Sequence, residues 1–431
     1  MVNVFMAERM PILEIKTLKP EAYASYLNQH QLRYFYNQSA DVLAFDRAQG
    51  LNVELLGLFE AGEVLAACKL TYLPELRFYR RAQVNWLPLD PGRLDILPQL
   101  LAALEAHLLK QKNVLHLSLS PLLIRGIYKD EGEGYQACPL ADQVDQIFQD
   151  AGYTKPAGDF YSDTRLQPRY LFVKDLRGQS EEEVIASLDS KVRNHIRVAD
   201  RYGMTLRKLK PEEAPVFNQA LTAMADNYGF PRNRLSLTSP ALMQAASKTV
   251  SYLAICLTPQ DSLQLNSQIE ADLKAEQAAT DANSRRGKTK IRELDQQITA
   301  NLKRRDRIEE LAAQHGKDQE LILGVSQFAF SPSDYICLQT AIFSEFVDLS
   351  PAYYMHGIML KEAVAQGADY YNLFAVSDPL EPEDDLGVLN FKKQFNGQVE
   401  EYVGTYSKDL AKPAGAQLLQ CAKDLKHKLK P

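Results

Sequence analysis

The sequence predicts an α/β fold of two successive units with mixed sheets, the second interrupted by an antiparallel helical hairpin. Three observations carry this. Short apolar strands alternate with amphipathic helices over residues 1–155, the same grammar restarts near Asp159, and the pattern breaks over residues 262–315 into a proline-free stretch rich in Glu, Lys, Arg, Gln and Ala. Alternation of strands and helices at this spacing argues for α/β layers. A length of 431 residues fits two or three domains.

In the first unit, Leu51–Phe59 and Val64–Tyr72 read as a hairpin around Glu60-Ala61-Gly62-Glu63. Pro98–Lys112 has helical spacing, with Leu97, Leu101, Leu104 and Leu108 on one side. Pro98 suits a first helical turn, where a missing N–H costs nothing. Val114–Leu119 is a short strand stopped by Ser120-Pro121, and Asp142–Ala151 is a helix closed by Gly152.

The second unit repeats the order. Tyr170–Leu176 is a strand, Ser180–Tyr202 a helical region, Met204–Leu209 a strand, Pro211–Tyr228 a helix and Val250–Leu257 an apolar strand. Beyond the break, Leu321–Phe330 is a strand, Tyr353–Gly367 a helix and Tyr370–Val376 a strand, and residues 407–431 read as a basic helix.

Within the break, apolar positions thin to a seam. Leu265, Ile269 and Leu273 lie in its first half, and Ile291, Leu294, Ile298, Leu302, Ile308 and Leu311 in its second. Steps of three and four are what two facing helices require. The cluster Asp281-Ala282-Asn283-Ser284-Arg285-Arg286-Gly287 between them is turn-forming.

Composition excludes several classes. A net charge of -6 argues against a chain coated in positive charge for nonspecific nucleic-acid binding. Cys68, Cys138, Cys256, Cys337 and Cys421 lie far apart with no CxxC pair, so neither a disulfide framework nor a zinc site is expected, and a reducing compartment is the simplest setting. No signal peptide is expected. No stretch approaches the roughly 18 apolar residues of a membrane-spanning helix. No GxSxG, P-loop, HExxH or GxGxxG motif occurs.

Five constellations carry possible chemistry. Lys191, Arg193 and Asn194, with Arg197 and Arg201, make a basic face at helical spacing, read either as a phosphate contact or as a solvated face balanced by Asp189 and Asp200. Arg169, in Gln167-Pro168-Arg169, is either functional or a structural arginine satisfying carbonyls at a junction. Phe391-Lys392-Lys393 is taken as a strand, whose alternation points the lysines to opposite faces, read either as one lysine facing a cleft or as two exposed edge-strand lysines. The hairpin tip carries Arg285, Arg286, Lys288 and Lys290, which either grip an anionic partner or close a salt-bridged coiled coil. Tyr36-Asn37-Gln38-Ser39 either lines a cleft or places Ser39 as a helix N-cap.

Taken together, Gly387-Val388-Leu389-Asn390-Phe391-Lys392-Lys393, Tyr353-Tyr354-Met355-His356, Gly367-Ala368-Asp369-Tyr370-Tyr371-Asn372, Lys191-Val192-Arg193-Asn194, Gln167-Pro168-Arg169 and Tyr36-Asn37-Gln38-Ser39 resemble the Fem peptidyltransferases over nearly the full length. The chain departs from the family pattern at Val84-Asn85-Trp86-Leu87-Pro88, at Phe374-Ala375-Val376-Ser377-Asp378 and at Asp41-Val42-Leu43.

The resemblance implies two acetyltransferase-like (GNAT-like) subdomains with mixed sheets, at 1–158 (with 396–431 packing on it) and 159–395, and a coiled-coil arm at 262–315. It implies transfer of an amino acid, Ala, Ser or Gly, from aminoacyl-tRNA to the stem or bridge peptide amine of a peptidoglycan precursor, either lipid II or a UDP-muramyl peptide. The setting would be the cytoplasm, with peripheral contact at the inner face of the cell membrane. No metal or cofactor is implied beyond the charged tRNA as donor. Lys392 would stabilise negative charge, and Asp384 and Asp385 would orient the amine. Lys191, Arg193, Asn194, Arg169, Gln38 and Tyr36 would bind substrate, and Arg285, Arg286, Lys288 and Lys290 would hold tRNA. Two other readings stay open: an acyl-CoA-dependent GNAT-like N-acyltransferase, for which no Arg/Gln-x-x-Gly-x-Gly/Ala loop is present, and a non-catalytic protein that docks through its coiled coil.

Overall fold

The structure is a computed structural model that describes residues 13–76, 79–129, 134–158, 160, 163, 165–246, 249–380 and 386–410. The first half runs β1 (Leu13–Thr17), α1 (Pro20–Gln29), α2 (Leu43–Ala48), β2 (Asn52–Glu60), β3 (Glu63–Leu76), β4 (Tyr79–Leu87), α3 (Leu97–Leu109), β5 (Val114–Pro121), β6 (Ile124–Tyr128), β7 (Tyr135–Ala137) and α4 (Leu140–Asp150). The second begins with β8 (Tyr170–Asp175), α5 (Glu181–Ala186), α6 (Ser190–Asp200), β9 (Thr205–Lys208), α7 (Ala214–Tyr228), α8 (Pro240–Ala245) and β10 (Val250–Leu257). The arm helices α9 (Pro259–Ala279) and α10 (Arg285–His315) follow. The chain closes with β11 (Leu321–Phe330), β12 (Asp334–Ile342), α11 (Pro351–Ala365), β13 (Tyr370–Val376), α12 (Leu386–Lys393), β14 (Gln398–Tyr402) and β15 (Tyr406–Asp409).

Two sheets form, a six-stranded one in the order β1-β2-β3-β4-β5-β15 and a nine-stranded one in the order β7-β6-β14-β8-β13-β12-β11-β10-β9. Each contains an antiparallel meander (β2-β3-β4 and β10-β11-β12) followed by a helical crossover and one parallel pair, β4/β5 or β12/β13. The fold is therefore α/β with two mixed sheets. Strands β6 and β7, which precede residue 158, hydrogen-bond into the nine-stranded sheet, and β14 and β15 part company, the first entering the nine-stranded sheet and the second the six-stranded one.

Helix α3 covers the first sheet because Leu97, Leu101, Leu104 and Leu108 all point inward, each 2% exposed or less. Each such burial contributes roughly 2 kcal/mol relative to an exposed side chain. The second sheet packs Phe172, Ile255, Leu323, Phe328 and Tyr371 against Val184, Val192, Met355 and Leu360 of the helices. The helical region expected over Ser180–Tyr202 is two helices, α5 and α6, because Asp189 leaves helical geometry and caps α6 through its carboxylate.

The arm is an antiparallel hairpin. Glu276 pairs with Lys290 at 2.8 Å and Glu270 with Arg305 at 3.1 Å along its length. Ser284 caps α10 by accepting the Gly287 N–H at 2.9 Å. Residue 287 must be glycine, since a Cβ there would lie 1.7 Å from the Asp281 carbonyl oxygen. Arg33, in the segment after α1, is anchored on the nine-stranded sheet. Its guanidinium donates to the fully buried Asp334 at 2.7 Å, pairs with Glu400 at 3.3 Å and lies 3.9 Å over the Tyr370 ring.

Candidate active site

The site is built where the parallel pair of the second sheet opens. Strands β12 and β13 pair only from Asp334↔Tyr370 to Ile336↔Asn372. Past that point β13 bulges: its register against β8 shifts between Asn372 and Ala375, and Phe374 has a positive φ of 64°. The Asn372 carboxamide oxygen accepts the Phe374 N–H at 2.8 Å and holds the bulge, while its Nδ2 is buried with no partner.

Lys392 reaches this opening. Its Nζ donates to the Ala375 carbonyl at 2.6 Å. Its charge is felt on both sides, by Cys337 on β12 and by His356 on α11. Burial first, and then this lysine, push His356 down to about 3, so the ring is neutral. His356 is fixed by Tyr371, whose hydroxyl is 2.8 Å from Nδ1, and by the rings of Phe391 and Phe395.

Lys392 and Lys393 lie in the last turn of α12, not on a strand as the sequence suggested. The apolar spacing is helical: Leu389 and Phe395 are buried, Phe391 and Phe395 pack together four residues apart, and Gln394 donates to the Asn390 carbonyl. Two lysines in a last turn also suit the negative end of the helix dipole. The strand starts later, at Gln398, after Asn396 turns the chain with a φ of 53°. Asp384 and Asp385 fall outside the described residues.

The basic face of α6 is adjacent. The Asp189 N–H donates to the Gln394 carbonyl at 3.0 Å, two residues past Lys392. His195 stacks on Tyr353, and Tyr353 donates to Gln394. Lys191, Arg193 and Asn194 are all exposed there. Arg193 turns its guanidinium back onto the carbonyls of Ala186 and Leu188, at the end of α5, and Asn194 accepts from Arg197.

Arg169 pairs with Glu401 and lies 5.4 Å over Tyr170, which pairs across the sheet with Val376, next to Ala375. The other expected residues sit elsewhere. Gln38 is 1% exposed and fully engaged: it accepts from Tyr23 and from the Lys69 N–H and donates to the Asn85 carbonyl at 2.7 Å. Tyr36 packs among apolar side chains of both halves. Ser39 accepts the Asp41 N–H, the capping role its position suggested. Arg285, Arg286 and Lys288 are exposed at the arm tip and Lys290 is paired with Glu276. A helix of 21 residues sets that tip roughly 30 Å from the arm root.

Three further groups carry no local signal in the sequence. Lys174 on β8 is buried, donates to Ser187 at 2.8 Å and to the Asn396 carbonyl at 3.1 Å, and is pushed down by burial to about 8. Arg165 pairs with Asp163, and Arg234 donates to the Asp163 carbonyl. Arg81 of β4 lies within the field of both Asp163 and Arg165, which gathers cations between the halves. Among the described residues no cluster of three His, Cys, Asp or Glu side chains suits a metal ion, and no helix is long and apolar enough to cross a membrane.

A profile of the FemAB family matches residues 18–424. Aminoacyltransferase FemA of Staphylococcus epidermidis is 24% identical over 374 residues, which cover 85% of this chain and 89% of that protein. Aminoacyltransferase FemA of Staphylococcus aureus strain MRSA252 is 25% identical over 383 residues, covering 86% and 89%. The crystal structure of FemX matches with a TM-score of 0.72 at 18% identity, over 94% of this chain and 100% of FemX, a likeness of fold.

Proposed function

The chain belongs to the FemAB family, and from that premise we propose that it moves an amino acid from aminoacyl-tRNA to the stem or bridge peptide amine of a peptidoglycan precursor. It is a transferase, and the names of its aminoacyltransferase relatives support the class of group moved. The observation that carries the reading is the Lys392 ammonium held on the Ala375 carbonyl where β12 and β13 part.

The reaction is aminolysis of an ester. The acceptor amine attacks the ester carbonyl, the carbon–oxygen bond to the tRNA ribose breaks, and the proton the amine loses ends on the departing ribose oxygen. The ester arrives activated, so the chemistry calls for no ATP, metal or organic cofactor. A tetrahedral oxyanion forms on the way, and a preorganised cation beside it is the largest single aid a site can give. Lys392 fills that role. The neutral His356 beneath it leaves the lysine's charge without a competing cation from that side. Asp384 and Asp385, which precede α12 in the sequence, orient the incoming amine. Lys191, exposed on α6, and the cations gathered around Asp163 meet the phosphates of precursor and donor. The arm tip, with Arg285, Arg286 and Lys288, contacts the tRNA backbone. Lipid II is the favoured acceptor and a UDP-muramyl peptide the other, with lipid II placing the protein at the inner membrane face.

The test is direct. Purified protein is given labelled aminoacyl-tRNAs, one amino acid at a time, with lipid II or a soluble UDP-muramyl peptide. Label is expected to appear in the precursor. Absence of transfer from every charged tRNA to either acceptor overturns the proposal.

A further inference from the structure

We propose that Ser262, Asn266, Asn301 and Arg304 form a polar lock at the arm root that sets the direction of the arm against α6, making Asn301 and Arg304 positioning residues for the donor that the arm holds. A seam between two helices is normally apolar. Outward of Ile308 and Leu311, which are buried in the core of the second unit, the most enclosed positions near the root are polar: Ser262, Asn266 and Asn301 are 0% exposed and Arg304 is 5% exposed. The apolar residues nearest them on α9 and α10, Leu265, Ile269 and Leu302, are only half-buried.

The hydrogen bonds have a direction. Asn301 donates to the Asn266 carbonyl at 2.8 Å, and Arg304 donates to the Asn301 and Asn266 carboxamide oxygens at 2.8 and 3.3 Å. Asn266 then donates to the Arg201 carbonyl at 3.0 Å, and Ser262 to the Tyr202 carbonyl at 2.5 Å. Arg201 and Tyr202 stand at the C-terminal end of α6, where backbone carbonyls lack helical donors. The arm root therefore caps α6. The Arg304 guanidinium lies 5.5 Å over the Tyr202 ring, close to the negative end of that helix. Gly203 turns the chain with a φ of 70°, and a Cβ there would lie 3.1 Å from Leu265.

Such a network is a poor way to gain stability. The Arg304 Nε is buried without a partner, and no carboxylate pairs with the guanidinium among the described residues. An apolar seam of the same volume would be as stable or more so. What the polar groups supply is a single register and a single angle, since all the bonds fail together when the helices slide or swivel. Leverage makes the angle matter: a swing of about 10° at the root moves a tip about 30 Å away by about 5 Å. At its other end α6 holds the Gln394 carbonyl, so the arm is referenced to the helix that carries Lys392.

The experiment measures the arm directly. Spin labels are placed at Ala282→Cys on the tip and Glu182→Cys on α5, in the full chain with Cys138→Ser and Cys421→Ser. The inter-label distance distribution is read by pulsed dipolar spectroscopy. A single narrow distribution is expected. Asn301→Leu and, separately, Arg304→Met are expected to double its width or more with the melting temperature held or raised, while Asn301→Asp, which still accepts from Arg304, stays narrow. A distribution that stays narrow in both Asn301→Leu and Arg304→Met overturns the lock. The kinetic arm rests on the transferase reading: KM for charged tRNA rises about fivefold, equivalent to about 1 kcal/mol, with kcat nearly held. If no variant and no parent protein transfers anything, the function proposal fails and the distance result still decides the lock.

Discussion

The Asp189 N–H donates to the Gln394 carbonyl at 3.0 Å, which joins the start of α6 to the end of α12. One main-chain bond thus places an exposed basic helix face beside the lysine that points into the opening of the second sheet. Had α6 and α12 stood on separate surfaces, a common site for Lys191 and Lys392 would have no basis.

Lys392→Met keeps the stem of the side chain and removes the ammonium from the Ala375 carbonyl. If Lys392 stabilises the oxyanion, kcat falls about 10²- to 10³-fold with little change in KM. Steady-state kinetics with lipid II and charged tRNA check this. A variant with parental kcat removes Lys392 from the mechanism.

Gln38 answers a different question. It is enclosed and bonded to Tyr23, Lys69 and Asn85. Gln38→Leu strands those groups, so a loss of about 2–4 kcal/mol of stability is expected. Urea denaturation measures it. An unchanged midpoint with weakened substrate binding would return Gln38 to the ligand-contacting set.

His356 predicts an acid limb. Its folded-state value is about 3 and its ordinary one 6.5, so the unfolded chain binds the proton first. Stability is complete above pH 6.5 and falls as pH drops toward 3. His356→Gln is expected to lack this component, and Lys392→Met to shrink it, because Lys392 is the second cause of the shift. Stability curves at pH 7 and pH 5 for the three proteins make the comparison.

Lys174 predicts an alkaline limb of the same origin. Burial holds it at about 8 against an ordinary 10.5. Between those values the unfolded chain carries the extra proton, so stability rises with pH through that window. Lys174→Met is expected to flatten the climb; equal slopes for the two proteins between pH 8 and pH 10 would remove Lys174 as its source.

Charge reversal at the arm tip, Arg285→Glu with Arg286→Glu, is expected to raise KM for charged tRNA and to lower its salt dependence, with melting unchanged because both side chains are exposed. Filter binding across a salt series reads both. Equal salt slopes for parent and variant exclude the tip as an RNA contact.

Much of the fold was legible because its signals are local. The leucine spacing that buries Leu101, Leu104 and Leu108, the hairpin at Glu60–Glu63 and the apolar run at Val250–Leu257 depend on neighbours in sequence. The site was less legible because it depends on distant partners. Arg33 meets Asp334 and Glu400 across 301 and 367 residues, and no local pattern announces that. At Phe391-Lys392-Lys393 a short apolar run fitted either period, and the helix prevailed because Leu389 and Phe395 both had to reach the core. The arm seam was read from its apolar residues, while near its root two amides and a guanidinium also join the helices.

The last strands carry a consequence for how the molecule is made. Strand β14 is slotted between β6 and β8, and β15 closes the edge of the other sheet beside β5. A ribosome must therefore emit residues 398–409 before either sheet is complete. Both halves wait, partly open, for the same late piece of chain, and fragments that end at the arm or at α12 are poor candidates for independent expression.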